Sequence, residues 1–405
     1  MIEEEKLIAL CGELQDRFPG KLFDLSVTFG SAVEVRLLQE SQQPSGENPN
    51  YDVGCIQTLL EGFIIASLSE DGTIDVHAPI GKYLPELTEE GSRPGNSIRT
   101  RDLLAHATGY HAPTGIPSEA GFSTWRKFVE YLSYTKPAFP PGAVCSWNGL
   151  GRGILLHLVE RATGIPLDEL VRRRFVEITG RAPKLLNAGK GWPTLMASID
   201  EIVNYIQVEL KRGQLCNYLQ TCTVPVVRNP ISSRSNAPVG YAFGLALYPD
   251  GLWGQTSNGA SYNVGVRFNE GASFCLALAI GANSYSRDLI LQMLCSACGF
   301  VRRSSASHVM GSIIGCELDE LGGTYVADLG DVIDVTVADD VVSCSFSRDG
   351  VRLANARLSA VNGALLVGDG RWNAHQIEFF RHPKDESVCL TFGQISYVKV
   401  RADLQ

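Results

Sequence analysis

Residues 51–75 read Tyr51-Asp52-Val53-Gly54-Cys55-Ile56-Gln57-Thr58-Leu59-Leu60-Glu61-Gly62-Phe63-Ile64-Ile65-Ala66-Ser67-Leu68-Ser69-Glu70-Asp71-Gly72-Thr73-Ile74-Asp75. This stretch turns helical soon after Gly54 and is closed by Asp71-Gly72. Upstream, residues 3–18 repeat apolar positions at helical spacing until Pro19-Gly20 stops them, and Leu25 to Leu38 alternates as a hairpin around Gly30-Ser31. A polar loop, Gln39 to Asn50, joins that hairpin to the central helix. Downstream the pattern is mainly helical to Gly213, and Ser198 with Glu201 three residues on marks a capped helix start. Strand patterns return at Tyr241–Tyr248, Ser261–Asn269 and Ser273–Ala282, before a last helix over about Ser286 to Cys298.

Beyond this point the period changes. Residues 301–312 are small and polar and read as a linker, and from about Ile313 the chain is short alternating strands. Turns such as Arg348-Asp349-Gly350 and Val361-Asn362-Gly363 separate them, as in a small β-barrel or sandwich. The organisation expected is an α/β (α+β) domain over 1–300, with a helical subdomain at about 90–213, the linker 301–312, and a β domain over 313–405.

Composition bounds the function. The 405 residues are 44% hydrophobic and 20% charged, as in a folded chain with a sizeable core. A net charge of −9 argues against nucleic acid as a partner, since tracking phosphates needs an excess of Lys and Arg. The one basic run, Arg172-Arg173-Arg174, lies late in a helical stretch and reads as a solvated face. No apolar run is long enough to span a bilayer, so no membrane partner is expected, and Phe274 to Ala282 reads as a buried strand. The acidic start, Met1-Ile2-Glu3-Glu4-Glu5-Lys6, lacks the order of a secretory signal and reads as cytoplasmic. The eleven cysteines are odd in number and scattered, and Cys295-Ser296-Ala297-Cys298 has no second pair or nearby His to complete a metal site. No metal or other cofactor is implied, and the partner expected is a small-molecule substrate.

Four landmarks now fall in a telling order. Leu68 to Asp75 runs on through Pro79 to Lys82-Tyr83-Leu84-Pro85, and Ile98-Arg99-Thr100-Arg101-Asp102-Leu103-Leu104-Ala105-His106-Ala107-Thr108-Gly109 follows. Pro141-Gly142 then precedes Ser146-Trp147-Asn148, and Gly254-Gln255-Thr256-Ser257-Asn258-Gly259 comes last. Over about residues 20–300 this resembles the serine β-lactamase and penicillin-binding protein family, in its class C-related esterase and transpeptidase branch. The resemblance implies an antiparallel sheet flanked by helices, an all-helical subdomain, and an active site between them. More loosely, the terminal β module resembles the lipocalin-like domain of some members.

The resemblance also shows what has been rewritten. Cys55-Ile56-Gln57-Thr58 stands where the family has Ser-x-x-Lys, Ser146 where it has the tyrosine of Tyr-Ser-Asn, and Gln255 where Lys or His opens the third motif. Asn148 is retained. A serine without its base is nearly inert, whereas a thiol ionises partly unaided, and more so at a helix N-terminus. By analogy the backbone N–H groups of Cys55 and Asn258 are the oxyanion donors.

Three readings stay open. The first is acyl transfer, hydrolysis or cyclisation of an acyl- or amide-containing substrate of specialised metabolism through Cys55, with Ser146 and Gln255 positioning it and His111 as acid–base candidate. The second is a non-covalent cyclase or isomerase, in which Gln57, Thr58, Asn148, Ser257, Asn258 and Asn263 form a neutral hydrogen-bonding set between Trp147 and Tyr262. The third is an inactive binding protein, with Cys55 a small buried filler. His106 reads as a packing residue, and Tyr110 and Tyr51 as weaker acid–base candidates. All three readings predict negligible hydrolysis of the chromogenic cephalosporin nitrocefin; rapid turnover would show this motif assignment to be wrong.

Overall fold

The computed structural model describes residues 4–17, 23–30, 32–39, 49–88, 94–110, 129–130, 132, 135–146, 149–186, 194–225, 238–258, 262–271, 273–281, 284–300, 317–328, 331–339, 341–348, 350–361, 364–367, 376–392 and 395–400. The expected linker at 301–312 lies outside them. The chain forms two compact units, each discontinuous in sequence.

The first unit comprises residues 1–76, 159–223 and 240–303. Its longer helices are α1 (Glu4–Arg17), α2 (Gln57–Glu70), α3 (Leu167–Thr179), α4 (Ile199–Arg212) and α5 (Ser284–Ala297), with a two-turn helix at Cys216–Cys222. Strands β1 (Phe23–Phe29) and β2 (Ala32–Gln39) form the expected hairpin, and β3 (Tyr51–Asp52) leads toward α2. Strands β4 (Lys184–Leu186) and β5 (Thr194–Ala197) pair with β3 in the order β3-β5-β4. These two strands interrupt the stretch expected to be helical. At three and four residues they are too short to show a period against the helices around them.

The unit's main sheet is antiparallel. It adds β7 (Gly240–Ala242), β8 (Leu245–Leu247), β9 (Trp253–Asn258), β10 (Asn263–Phe268) and β11 (Phe274–Ile280), in the order β2-β1-β11-β10-β9-β8-β7. Every residue of β11 is buried, as its unbroken apolar run requires of a central strand. In β1 the alternation is complete. Phe23, Leu25 and Val27 enter a core with Leu7, Cys11 and Leu14 of α1 and Ile290, Leu291 and Leu294 of α5. Asp24, Ser26 and Thr28 occupy the opposite face, where Gln207 of α4 donates to Thr28 Oγ1 at 2.7 Å. What reads as one strand over 241–248 is a tight hairpin, because Phe243 and Gly244 take φ of 52° and 71°.

Helix α4 begins as the capping box expected: Ser198 N–H donates to Glu201 Oε2 at 2.9 Å and Glu201 N–H to Ser198 Oγ at 3.3 Å. Arg172 and Arg173 share Glu169 on the outer face of α3, but Arg174 turns inward to Glu209 Oε1 at 2.9 Å. The basic run is therefore only partly a solvated face.

The second unit comprises residues 77–158, 224–239 and 304–405. It holds the short helix Thr100–Leu104, the two-residue strand β6 (Val224–Pro225), and eight strands that close into a barrel. These are β12 (Gly323–Asp328), β13 (Asp331–Ala338), β14 (Val341–Arg348), β15 (Val351–Val361), β16 (Ala364–Val367), β17 (Gln376–Arg381), β18 (Val388–Phe392) and β19 (Ile395–Lys399). Pairing of Tyr325 with Lys399 and Val326 with Val398 closes the ring, which leaves no open sheet edge. Tyr325, Ile333, Phe346, Ile377, Phe379 and Leu390 fill its interior. The helix Gly149–Thr163 runs across the boundary between the units in sequence.

Glu209 is buried between Arg174 and Arg212, and burial, helped by the nearby Glu177, outweighs Arg174 and pushes its carboxyl up to about 7. A carboxyl raised above its ordinary 4.5 stabilises the fold most below that value and loses its contribution as pH rises through about 7. Glu209→Gln should therefore gain stability over the natural chain by roughly 2–3 kcal/mol between pH 5 and pH 8, from about 1.4 kcal/mol per pKa unit. Denaturant titrations at both pH values test this, and a pH-independent difference would refute it.

Candidate functional site

The entry to α2 is built on close approach. After β3 the chain makes a single 3₁₀ turn, Gly54–Ile56, and passes directly into α2, whose N-cap residue Ile56 contributes no side-chain cap. Gly54 takes φ of +46°, and a Cβ there would lie 2.0 Å from Ser257 Oγ. Glycine is needed both for that dihedral and for the space that the strand β9 crossing it leaves. Asp52 Oδ1 accepts the Gly54 N–H at 2.9 Å, and the Asp52 N–H donates to Tyr262 Oη at 2.6 Å. The Tyr262 ring stands edge-on to Tyr51 at 5.0 Å.

Cys55 lies in this turn, half-buried. Its backbone N–H donates to Ser257 Oγ at 3.3 Å. The sequence suggested that this N–H serves as an oxyanion donor independent of side chains; instead a side chain already occupies it. With Gln255 in the place of the third motif's opening Lys, Ser257 falls where that motif has its glycine. A glycine has no hydroxyl to put there.

Thr58 and Gln255, which the sequence resemblance sets in the places of the family's lysine and its third-motif cation, are bonded to each other. Gln255 Nε2 donates to Gly244 O at 2.8 Å and to Thr58 Oγ1 at 3.2 Å. Thr58 Oγ1 has one proton, within reach of Cys55 O at 2.8 Å and Gly244 O at 3.1 Å, and Gln255 Oε1 accepts the Thr256 N–H at 2.9 Å. Both donors of the amide and the hydroxyl proton are thus spent inside the protein. Gly244 permits the crossing: a Cβ there would sit 2.2 Å from Thr58 O.

Gln57 departs from the expected pocket-lining role in a similar way. It is buried, its Oε1 accepts Leu195 N–H at 3.2 Å and its Nε2 donates to Glu61 Oε1 at 3.4 Å, so it ties α2 to β5. Asn258 is exposed at the end of β9, opposite the buried Asn263 of β10. A residue without a motif holds that end. Arg287 of α5, 2% exposed, donates through one nitrogen to Ser257 O at 2.8 Å and to Asn258 Oδ1 at 2.7 Å. Because arginine only donates, it is the oxygen of the Asn258 amide that meets it.

Tyr51 is unsuited to acid–base work. Its hydroxyl donates at 2.9 Å to Asp24, a fully buried carboxylate that also bonds Arg36, and burial beside Asp24 raises its pKa well above normal. In the second unit Tyr110 is buried and pushed up to about 12. His106 has φ of 53°, and its carbonyl accepts Ser146 N–H at 2.8 Å, in keeping with a structural place. Ser146 itself is buried. His111, Trp147 and Asn148 lie outside the described residues. Among the described residues no three His, Cys, Asp or Glu side chains gather to hold a metal, and no helix is long and apolar enough to cross a membrane.

Set beside known proteins, residues 38–214 match the family model "Beta-lactamase". A β-lactamase of Pseudomonas fluorescens is 24% identical over 135 residues, 33% of this chain and 36% of that one, so the match spans only about a third of that relative's length. Among solved structures, SurE with D-Leu superposes with a TM-score of 0.70 at 18% identity, over 98% of this chain and 99% of that one. The octameric penicillin-binding protein homologue from Pyrococcus abyssi gives 0.55 at 16% identity, over 98% and 100%. The fold is that of β-lactamases and transpeptidases.

If Gln255 is held as described, Gln255→Leu strands the Thr256 N–H and removes a donor from Gly244 O and Thr58. A loss of about 1–3 kcal/mol in denaturant unfolding is expected. A Gln255 free in a cleft would leave stability unchanged.

Proposed function

Starting from a chain that carries a β-lactamase-family domain with its charged catalytic side chains replaced, we propose that it is a hydrolase- or acyltransferase-like enzyme acting through Cys55 on an acyl- or amide-containing substrate. The observation that carries this reading is the position of Cys55, half-buried in the turn that enters α2 and directly beneath the end of β9. Cys55 precedes the N-terminus of α2, whose dipole favours negative charge on sulfur.

The chemistry runs as acyl transfer. The Cys55 sulfur attacks the acyl carbon, a C–S bond forms, and the leaving group departs with a proton. Water or an amine then takes the acyl group and restores the thiol; an amine on the same substrate closes a ring. The amide N–H groups of Asn258, whose oxygen is taken by Arg287, suit the acyl oxygen. To use the Cys55 N–H as well, that oxygen has to displace Ser257 Oγ, which costs about 1 kcal/mol for a neutral hydrogen bond. That is a brake on the reaction and not a bar to it.

The non-covalent alternative draws less support, because Gln57, Thr58 and Gln255 spend their polar groups inside the protein. The binding-only alternative keeps one observation in its favour, the occupied Cys55 N–H. Since SurE was solved with D-Leu, a D-leucyl acyl group is the first to try.

Incubation with the phenyl thioester of N-acetyl-D-leucine, followed by intact-mass analysis and peptide mapping, should show one acyl group on Cys55. Cys55→Ala should abolish it, and Ser257→Gly should speed it about fivefold, the equivalent of about 1 kcal/mol. No adduct, or labelling that survives Cys55→Ala, sinks the covalent reading.

A further inference from the structure

The second unit contains a buried histidine whose ring nitrogens both have partners, yet no role in the chemistry above calls for it. His382 follows β17 and opens the turn to β18, where its N–H donates to Ser387 O at 2.8 Å and its carbonyl accepts Glu386 N–H at 3.0 Å. The hairpin therefore fixes where its ring goes. Nδ1 accepts Lys384 N–H at 3.3 Å and lies 3.1 Å from Asp385 Oδ1, while Nε2 lies 2.7 Å from Ala138 O. A carbonyl only accepts, so Nε2 carries a proton and donates to it whether the ring is neutral or charged.

The contact is more than one hydrogen bond. The His382 ring stacks on Phe139 with centroids 5.2 Å apart, and Phe139, Val144, Phe380 and Cys389 form a buried cluster of their own. Two members of that cluster come from the barrel and two from the segment Ala138–Ser146. The same segment is tied on its other side to the stretch 106–109. Gly109 O accepts the N–H groups of Ala138 and Phe139 at 2.8 and 3.1 Å, Ala107 O accepts Gly142 N–H at 2.7 Å, and His106 O accepts Ser146 N–H. Gly109 must be glycine here, because at φ of +78° a Cβ would sit 2.1 Å from Phe139 O.

We propose that the C-terminal barrel is a positioning element for the loop carrying Ser146, and that His382 is the residue through which it acts. Without the barrel the Ala138 carbonyl loses its donor and Phe139 its apolar cover. Among the described residues, the loop would then keep its main-chain bonds to the 106–109 stretch. His382 is not itself a catalytic residue, since its ring is buried and both nitrogens are engaged. A substrate-positioning role for Ser146 rests on the sequence resemblance; that the barrel holds its loop does not.

Hydrogen exchange followed by mass spectrometry on the full chain separates these. His382→Ala should speed exchange of amides in residues 138–146 at least tenfold while peptides from β13 and β14 stay unchanged. His382→Gln, whose amide nitrogen can reach the same carbonyl, should restore slow exchange. Unchanged exchange in 138–146, acceleration spread across the barrel, or no rescue by glutamine would overturn the proposal. Because no substrate is used, failure of the thioester experiment leaves this result standing.

Discussion

The site depends on a crossing of three backbones with almost no room between them. Strand β9 passes over the turn Gly54–Ile56, and the β7–β8 hairpin meets the first turn of α2, with glycines at Gly54, Gly62 and Gly244 where a Cβ would overlap a neighbour. A Cβ on Gly62 would come within 1.9 Å of Phe243 O, so α2 lies as close to the hairpin as main chain permits. Such proximity brings main-chain polar groups together out of water, where each needs a partner. Gln255 and Thr58 supply those partners for Gly244 and Cys55, and Ser257 supplies one for the Cys55 N–H.

On the motif assignment that the sequence suggests, this arrangement accommodates neutral side chains where the family keeps charged ones. A buried lysine at residue 58 would need compensation for its charge, whereas a threonine needs only to give one hydrogen bond and receive another. At the end of β9 stands Arg287, which reaches Ser257 and Asn258 from α5 and is itself paired with Asp288 at 2.8 Å. Its effect is orientational. It decides which end of the Asn258 amide points inward, and so whether that residue offers donors or an acceptor to a ligand.

Much of the scaffold was legible. The β1–β2 hairpin, the fully apolar β11 and the capping box at Ser198 each rest on local rules that tertiary packing did not override. The short strands β4 and β5 were missed because they carry too few residues to show alternation, and β5 is made a strand by its pairing with β3 and β4. Arg174 was misjudged within a run of three arginines because only the packing of α3 on α4 brings it to Glu209. Arg287 has no motif at all. It is one residue of an ordinary amphipathic helix until β9 ends beside it.

The sequence by itself determined the kinds of group available: a thiol at the start of a helix, neutral side chains where the family keeps cations, and a separate run of strands at the C-terminus. Those follow from residue type and period, which are properties of the chain alone. Only the tertiary structure decided which of those groups are free to act. Gln57, Thr58 and Gln255 read equally well as pocket residues or as partners for buried backbone, and strand crossings far apart in sequence made them the latter. Hydrogen-bond capacity is intrinsic to a side chain. Whether that capacity is already spent depends on which backbone groups folding has shut away from water.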